Sequence, residues 1–185
     1  MTGTADPPTT QALPTDVAAQ PFTSAEFRSA LGSFATGVTV VTTRGEDHAY
    51  GMTASSFTSV SLDPPLVLVC VITSSAGAET IQRNGVFAVN ILSEEQAEIS
   101  RYFAWRDRPK GQDAFREVSH SSLVTGSPIL DRAAGYLDCR LAATHEAGDH
   151  LIFIGEVLAL GFEAEARPLL FHGSKYRQLR DDESA

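Results

Sequence analysis

Seven consecutive residues, Leu66 to Ile72, carry no polar side chain, and Asp63-Pro64-Pro65 stands just before them. The prolines forbid helix where the run begins, and the run is far short of the roughly 20 apolar residues that cross a bilayer, so it reads as a strand. Its unbroken apolarity predicts burial on both faces and a central place in a sheet. A chain that must bury such a strand needs other strands beside it. Val38 to Thr43 is a β-branched run closed by Arg44-Gly45-Glu46-Asp47, which predicts a hairpin with a return strand through about Phe57. Val86 to Leu92 is another strand. Leu137, Cys139, Leu141 and Ala143 alternate with Asp138, Arg140 and Ala142, a half-buried strand that turns at Glu146 to Asp149 into a long one from His150 to Leu160. Leu169 to Phe171 closes the set.

Helical signals are short and few. Thr23 with Glu26 forms a capping box, and Phe27, Leu31 and Phe34 then repeat at helical spacing, so one apolar face is expected. Ser74 and Ser75 can cap a helix that ends at about Asn84, where Gly85 stops it. Ser93 with Gln96 opens a third, with Ile99, Tyr102 and Phe103 on one side. Arg106 to Gln112 is a polar loop, and the stretch to Arg132 has no clear pattern. About seven strands, several joined by hairpin-length turns, with three short helices favour a mainly antiparallel barrel over a doubly wound parallel sheet.

Length allows one such domain. The chain has 185 residues, and Pro7, Pro8, Pro14 and Pro21 fall in a start too poor in apolar residues to offset its ordering entropy. The expected organisation is a flexible tail over 1–21, one folded domain over 22–180, and a short acidic end over 181–185. Lys and Arg number 14 against 23 Asp and Glu, a net charge of -9, which disfavours nucleic-acid binding. No stretch reads as a membrane span or as a secretory signal, so a cytoplasmic location is expected. Cys70 and Cys139 lie far apart with no CxxC, which suits two packed thiols better than a disulfide framework or a thiolate metal site.

Absent motifs narrow the chemistry. There is no GxGxxG, no GxxxxGK[ST] and no GxSxG, which removes the glycine-turn nucleotide fold, P-loop phosphoryl transfer and the nucleophile elbow. His145 and His150 are five positions apart with Gly148-Asp149 between them, so they flank a turn and do not form a zinc helix. The informative segment is Gly51-Met52-Thr53-Ala54-Ser55-Ser56-Phe57-Thr58-Ser59-Val60-Ser61, with six hydroxyl residues from a strand end into a loop. Such a row suits a phosphate or a flat polar ring, or else it is a solvated strand edge. Alternation puts Thr53 and Ser55 on one face and Ser56 on the other unless the strand bends there. Ser74-Ser75 before a helix is either a second anion site or simple capping. Arg101, Arg106, Arg108 and Lys110 cluster at a helix end, either to attract anions or as a solvated face. Trp105 beside them either stacks on an adenine or anchors the loop.

Six blocks in order carry a resemblance: Phe34 to Thr43, Gly51 to Phe57, Ser59 to Leu66, Phe87 to Leu92, Gly148-Asp149-His150 and Gly173 to Tyr176. Together they resemble the short-chain flavin reductases, the reductase partners of two-component flavin monooxygenases, over about Phe22 to Leu179. The resemblance implies an FMN-binding split β-barrel, mostly antiparallel and Greek-key-like, usually a homodimer. It implies an NAD(P)H:flavin oxidoreductase that uses NADH or NADPH to reduce FMN or FAD and supplies the reduced flavin to a separate monooxygenase component. By the same analogy Thr53, Ala54, Ser55 and Ser56 line the ring and ribityl, with Ser59 and Ser61 close by. Ser75 caps the helix that meets the flavin phosphate, Asn90 lies near the flavin, His150 meets the nicotinamide or flavin edge as the catalytic candidate, and Tyr176 closes over the rings. Gly77 stands where these reductases often have Thr or Ser, which leaves backbone amides or Thr80 to replace a phosphate hydroxyl. No metal is implied. A relay protein that holds FMN without using nicotinamide, and a dimeric interaction protein whose hydroxyl row is only surface, are the competing readings.

Overall fold

The computed structural model describes residues 21–46 and 48–180. The tail expected over 1–21 lies outside the described residues except for Pro21, as does the acidic end over 181–185. In chain order the elements are α1 (Ser24–Gly32), β1 (Thr36–Gly37), β2 (Thr39–Arg44), β3 (Ala49–Ala54), β4 (Thr58–Leu62), β5 (Pro65–Ile72), α2 (Ala76–Asn84), β6 (Val86–Ile91) and α3 (Ala97–Ala104). Then follow β7 (His120–Ser122), β8 (Pro128–Leu130), β9 (Gly135–Ala147), β10 (His150–Phe162), β11 (Leu170–His172) and β12 (Lys175–Arg177). Short 3-10 turns precede α3 and fill Gly111–Phe115 in the polar loop region.

Seven strands form one antiparallel sheet in the order β3-β2-β6-β9-β10-β5-β4. Its two edges are joined directly in the chain, since β3 ends at Ala54 and β4 starts at Thr58. A three-residue link spans only about 14 Å between flanking Cα atoms, so the sheet must curl until its ends approach. The result is a barrel left open between β3 and β4, with Ser55, Ser56 and Phe57 crossing the gap. Ser56 stitches that crossing: its hydroxyl donates to the Cys70 carbonyl at 2.9 Å and accepts from the Cys70 N–H at 3.1 Å. The bend that alternation allowed is therefore present.

Two cores lie on opposite faces of the curled sheet. Inside, Val41, Val67, Val69, Val71, Phe87 and Phe153 meet Ala78 and Ile81 of α2. On the other face, Val38, Val40, Leu92, Phe115 and Leu169 surround Phe103 of α3. This arrangement corrects the expectation for Leu66–Ile72. β5 lies one place from the edge, and only Val67, Val69 and Val71 are buried. The strands buried on both faces are β2, from Thr39 to Thr43, and β6, from Phe87 to Asn90. Threonine can occupy β2 because each hydroxyl is bonded: Thr39 to the Ala54 carbonyl at 2.7 Å, Thr42 to that of Pro128 at 2.6 Å and Thr43 to that of Val86 at 2.7 Å. Left unpaired, each buried hydroxyl would cost about 1–3 kcal/mol.

Local signals at the helices act as the sequence predicts. Thr23 and Glu26 form a reciprocal capping box at α1. Gly85 ends α2 in the left-handed conformation, at φ 66°. No described residue covers the apolar side of α1, however: Phe27 and Leu31 on it and Phe34 just after it are 51%, 57% and 75% exposed. The C-terminal half of β10 behaves alike, with Leu158, Leu160 and Phe162 exposed.

Candidate active site

β3 is an edge strand, so alternate backbone groups along it point away from β2 and have no ladder partner. Gly51 identifies the outward set, since its carbonyl accepts from Arg108 Nη2. Alternation then gives Thr53 the same outward backbone, and Ser55 follows in the bend just past the strand end. Across the opening, β4 covers β5 only as far as Leu68, and Ser56 occupies the next position at Cys70. Between these two incomplete edges lies a chamber of about 320 Å³ whose wall includes Thr53, Ala54, Ser55, Ser56, Ser75 and His150.

The chamber gathers six of the residues that the sequence singles out, in different roles. Ser55 is exposed and its hydroxyl has no partner among the described residues, so it is available to a ligand. The Ser56 hydroxyl is already committed, as donor and acceptor, to β5. Thr53 donates to the Ser100 carbonyl of α3 at 2.6 Å, which leaves its outward backbone for the chamber. Ser75 caps α2 by accepting from the Ala78 N–H at 3.1 Å, and its own proton remains free. First-turn amides and the helix dipole face the same place, a favourable setting for an anion. His150 opens β10 after a turn at Gly148, whose φ is 62°, so His145 and His150 do flank a turn. Its Nδ1 lies 2.7 Å from Asp149 Oδ1. That hydrogen bond first, and the imidazole charge second, hold the Asp149 carboxyl below the usual carboxylate range. An ionised Asp149 accepts from Nδ1–H and leaves Nε2 unused.

Gly77 stands beside this chamber for a steric reason. A Cβ added to it would lie 2.8 Å from Tyr50 Cε1 and 3.0 Å from Met52 Sδ. The space that a Thr or Ser side chain would need is filled by those two side chains. Thr80 does not substitute, because its hydroxyl donates to the Ala76 carbonyl at 2.6 Å. An anion at this helix end is met by backbone amides and Ser75.

Four further expected positions, like Gly77, do not line the chamber. Asn90 is fully buried two strands from β3, and its amide is saturated. Nδ2 donates to Val40 O at 3.1 Å, Thr42 Oγ1 at 3.2 Å and Pro128 O at 3.3 Å, while Oδ1 accepts from the Leu130 N–H at 2.8 Å. It ties β2 and β6 to β8 and has no capacity left for a ligand. Ser59 and Ser61 lie on β4 beyond the bend, with a register shift between them, and the chamber wall does not include them. Tyr176 lines a separate groove of about 900 Å³ and donates to Ser100 Oγ at 2.8 Å, with the Arg101 guanidinium 5.0 Å from its ring centre.

Other wall residues escape the sequence reading. Met52, Cys70 and Ile72 line the chamber. Cys70 and Ile72 face outward on β5, a placement visible only if the apolar run is read as alternating. Cys139 is the packed thiol, pushed up to about 12 by burial and by neighbouring Asp138. The loop after α3 buries Arg108, which bonds Gly51 and Trp105 carbonyls and stacks on Tyr50 and Phe103 at 5.3 and 5.7 Å.

Comparison with known proteins agrees with this geometry. The flavin reductase like domain model matches residues 31–180. The reductase subunit of a flavin-dependent monooxygenase from Rhodococcus jostii is 38% identical over 168 residues, which cover 91% of this chain and 84% of that protein. An NADH-dependent FAD reductase from Streptomyces globisporus is 39% identical, with 85% and 86% covered. Among solved structures, an NADH:FAD oxidoreductase of Streptomyces globisporus superposes with a TM-score of 0.81 at 37% identity, over 95% of this chain and all (100%) of that one. The flavin reductase component of a bacterial two-component tryptophan halogenase gives 0.81 at 38% identity, over 86% and 99%.

Proposed function

This chain belongs to the family of flavin reductase like domains, and from that premise we propose that it is an NAD(P)H-dependent flavin reductase whose reduced flavin serves a separate monooxygenase component. NADH is the first reductant to test, since the Streptomyces relative is an NADH-dependent FAD reductase. The observation that carries the reading is the open seam of the barrel. There the free edge of β3, the unpartnered Ser55 hydroxyl, the capped end of α2 and His150 line one chamber.

The chamber fits a flavin. Isoalloxazine has a polar edge of alternating donors and acceptors, and an unpaired strand edge offers the same alternation. A phosphate on the ribityl end finds the first-turn amides of α2 and Ser75. When bound, the flavin accepts a hydride from the reduced nicotinamide, and that electronic work belongs to the cofactors. The protein's part is position. The outward backbone of Thr53 and the hydroxyl of Ser55 would hold the polar edge of the ring, and Met52 and Ile72 would give it an apolar wall. Asp149 engages the Nδ1 side of His150, so Nε2 is the ring nitrogen left for the ligands.

The enzyme works as a homodimer in this reading. The support is the apolar surface of Phe27 and Leu31 on α1, of Phe34 just after it and of Leu160 and Phe162 on β10, exposed among the described residues and larger than scattered surface residues account for. A cytoplasmic setting follows from the need for reduced nicotinamide, and no helix among the described residues is long and apolar enough to cross a membrane. Steady-state oxidation of NADH and NADPH against FMN, FAD and riboflavin tests the activity, with light scattering for the dimer. Turnover that depends on added flavin is expected. Flavin retained on gel filtration yet left oxidised by both nicotinamides under anaerobic conditions would instead select an FMN-holding relay protein.

A further inference from the structure

Two different sheets reach α3 at one residue. Thr53, on the free edge of β3, donates its hydroxyl proton to the Ser100 carbonyl at 2.6 Å, and Tyr176, on β12 of the three-stranded sheet, donates to the Ser100 hydroxyl at 2.8 Å. Ser100 is fully buried within α3, where alanine would be the better helix former, so its hydroxyl has to be matched by a partner. Tyr176 supplies that partner. The tyrosine ring is gripped in turn, with the Phe171 ring edge-on at 5.6 Å and the Arg101 guanidinium 5.0 Å from its centre. Neither Ser100 nor Tyr176 lines the chamber, but Thr53 does. Its place on the edge is decisive. The outward carbonyl before it, that of Gly51, is already taken by Arg108, and the Ala54 carbonyl after it accepts from Thr39. Thr53 is therefore where the strand first offers its outward backbone to a ligand.

We propose that Ser100 is a positioning residue of the flavin site and that Tyr176 acts on the flavin through it. The inference rests on the flavin reductase reading and adds the residues that set the strand edge against the ring. The physical link is short. The hydroxyl and the carbonyl of Ser100 belong to one residue of a rigid helix, so the bond that fixes the first from the C-terminal hairpin also fixes the second. That carbonyl holds the Thr53 side chain from behind, and with it the angle at which the Thr53 backbone meets the chamber. Hydrogen bonds to a ring edge weaken steeply as their alignment departs from linear, and a site of this kind works within a few tenths of an ångström. Loosening the clamp thus lowers flavin affinity although neither Ser100 nor Tyr176 touches the ring. The Tyr176 hydroxyl is spent behind the site and not over the cofactor.

The test uses the full chain with Tyr176→Phe, Ser100→Ala and Thr53→Val, each of which removes one hydroxyl and little else, and with their pairs. Fluorescence titration with FMN is expected to show Kd raised about three- to tenfold by Tyr176→Phe, as one lost hydrogen bond dictates. Ser100→Ala should raise it as much, and adding Tyr176→Phe to that variant should change nothing further. Tyr176→Phe combined with Thr53→Val should be less than additive, although the two bonds are made to different atoms of Ser100. Thr53→Ser, which keeps the hydroxyl, should keep the parental affinity. Should Ser100→Ala fail to fold, the Thr53 and Tyr176 pair decides alone. An unchanged Kd in Tyr176→Phe, or additive losses in that pair, overturns the proposal, since a purely structural tyrosine lowers the melting temperature without coupling to Thr53. The carbon-13 methyl signal of Thr53 in the ligand-free protein separates this from the reductase reading. If it moves in Tyr176→Phe while the parent binds no flavin, the reductase reading fails and the clamp stands. If it stays in place while the parent binds flavin, the clamp fails and the reading stands.

Discussion

Ser56 meets both backbone groups of Cys70, donating to its carbonyl at 2.9 Å and accepting from its N–H at 3.1 Å. One side chain thus acts as a ladder rung where β3 gives way to β4. Its neighbour Ser55 has no hydroxyl partner among the described residues and lines the chamber. Their truncations should therefore separate. Ser56→Ala leaves two backbone groups without a protein partner and is expected to lower stability by about 1–3 kcal/mol. Ser55→Ala is expected to change stability by less than about 0.5 kcal/mol. It weakens flavin binding several-fold, since one hydrogen bond is worth about 0.5–1.5 kcal/mol. Urea unfolding and flavin fluorescence titration of both variants check this, and the reverse pattern would exchange their roles.

Gly77→Ser installs the hydroxyl that the resemblance led one to expect there, and here it should do harm. The added Cβ meets the Tyr50 ring at 2.8 Å and Met52 at 3.0 Å. Overpacking of this kind costs about 1–3 kcal/mol. The variant is expected to melt earlier and to bind FMN no more tightly than the parent. A gain in FMN affinity with unchanged stability would show that the space is available.

Asn90 is predicted to be a stability residue with no direct part in ligand binding. Asn90→Ala deletes four hydrogen bonds and strands the Leu130 N–H in a buried site. A loss of about 3–4 kcal/mol is expected. At temperatures where the variant stays folded, its KM for flavin should match the parent's, and a selective rise in that KM would return Asn90 to the site.

Acid should release His150 late. The folded value of Asp149 is depressed, so what its pairing contributes is present above the unfolded carboxylate value and is lost as pH falls through the folded one. Carbon-detected NMR titration is expected to place the Asp149 midpoint below that of an aspartate in a short peptide. His150→Ala should bring it back to that reference, because the hydrogen bond to His150 is the leading cause. An unchanged midpoint in the variant would remove Asp149 as the group that sets the proton on Nδ1.

Much of the architecture is legible in the sequence because local chemistry fixes it. The capping box at Thr23, the serine cap and glycine stop of α2, and the turn between His145 and His150 involve neighbours in the chain. Burial is less legible, because it depends on partners far away. β2 reads as partly polar, yet its threonines are buried since carbonyls of Ala54, Pro128 and Val86 accept their protons. β5 reads as wholly buried, yet one face carries Cys70 and Ile72 at the opening. At the site, the hydroxyl row marks the right segment but not its division of labour. Whether Ser55 or Ser56 faces the ligand depends on how the chain crosses the seam, and no residue within the row reveals that. Asn90 and Tyr176 lie away from the chamber, and the motif could not have said so, because it records that a residue belongs to a family pattern without saying which side of a strand or helix it supports.

The pairing of β5 bears on how the chain reaches its native state. One edge of this strand is met by β4, adjacent in sequence, but the other waits for His150 to Glu156 of β10. Until that late segment emerges and docks, Leu66 to Ile72 presents an unpaired edge with no charge or proline along it, the composition that recruits foreign strands. Slow β topology and self-association thus compete at one place. Conditions that raise the concentration of chains in which β10 has not yet docked, such as high expression at elevated temperature, are expected to favour aggregation through this segment before any lesion in the finished enzyme is involved.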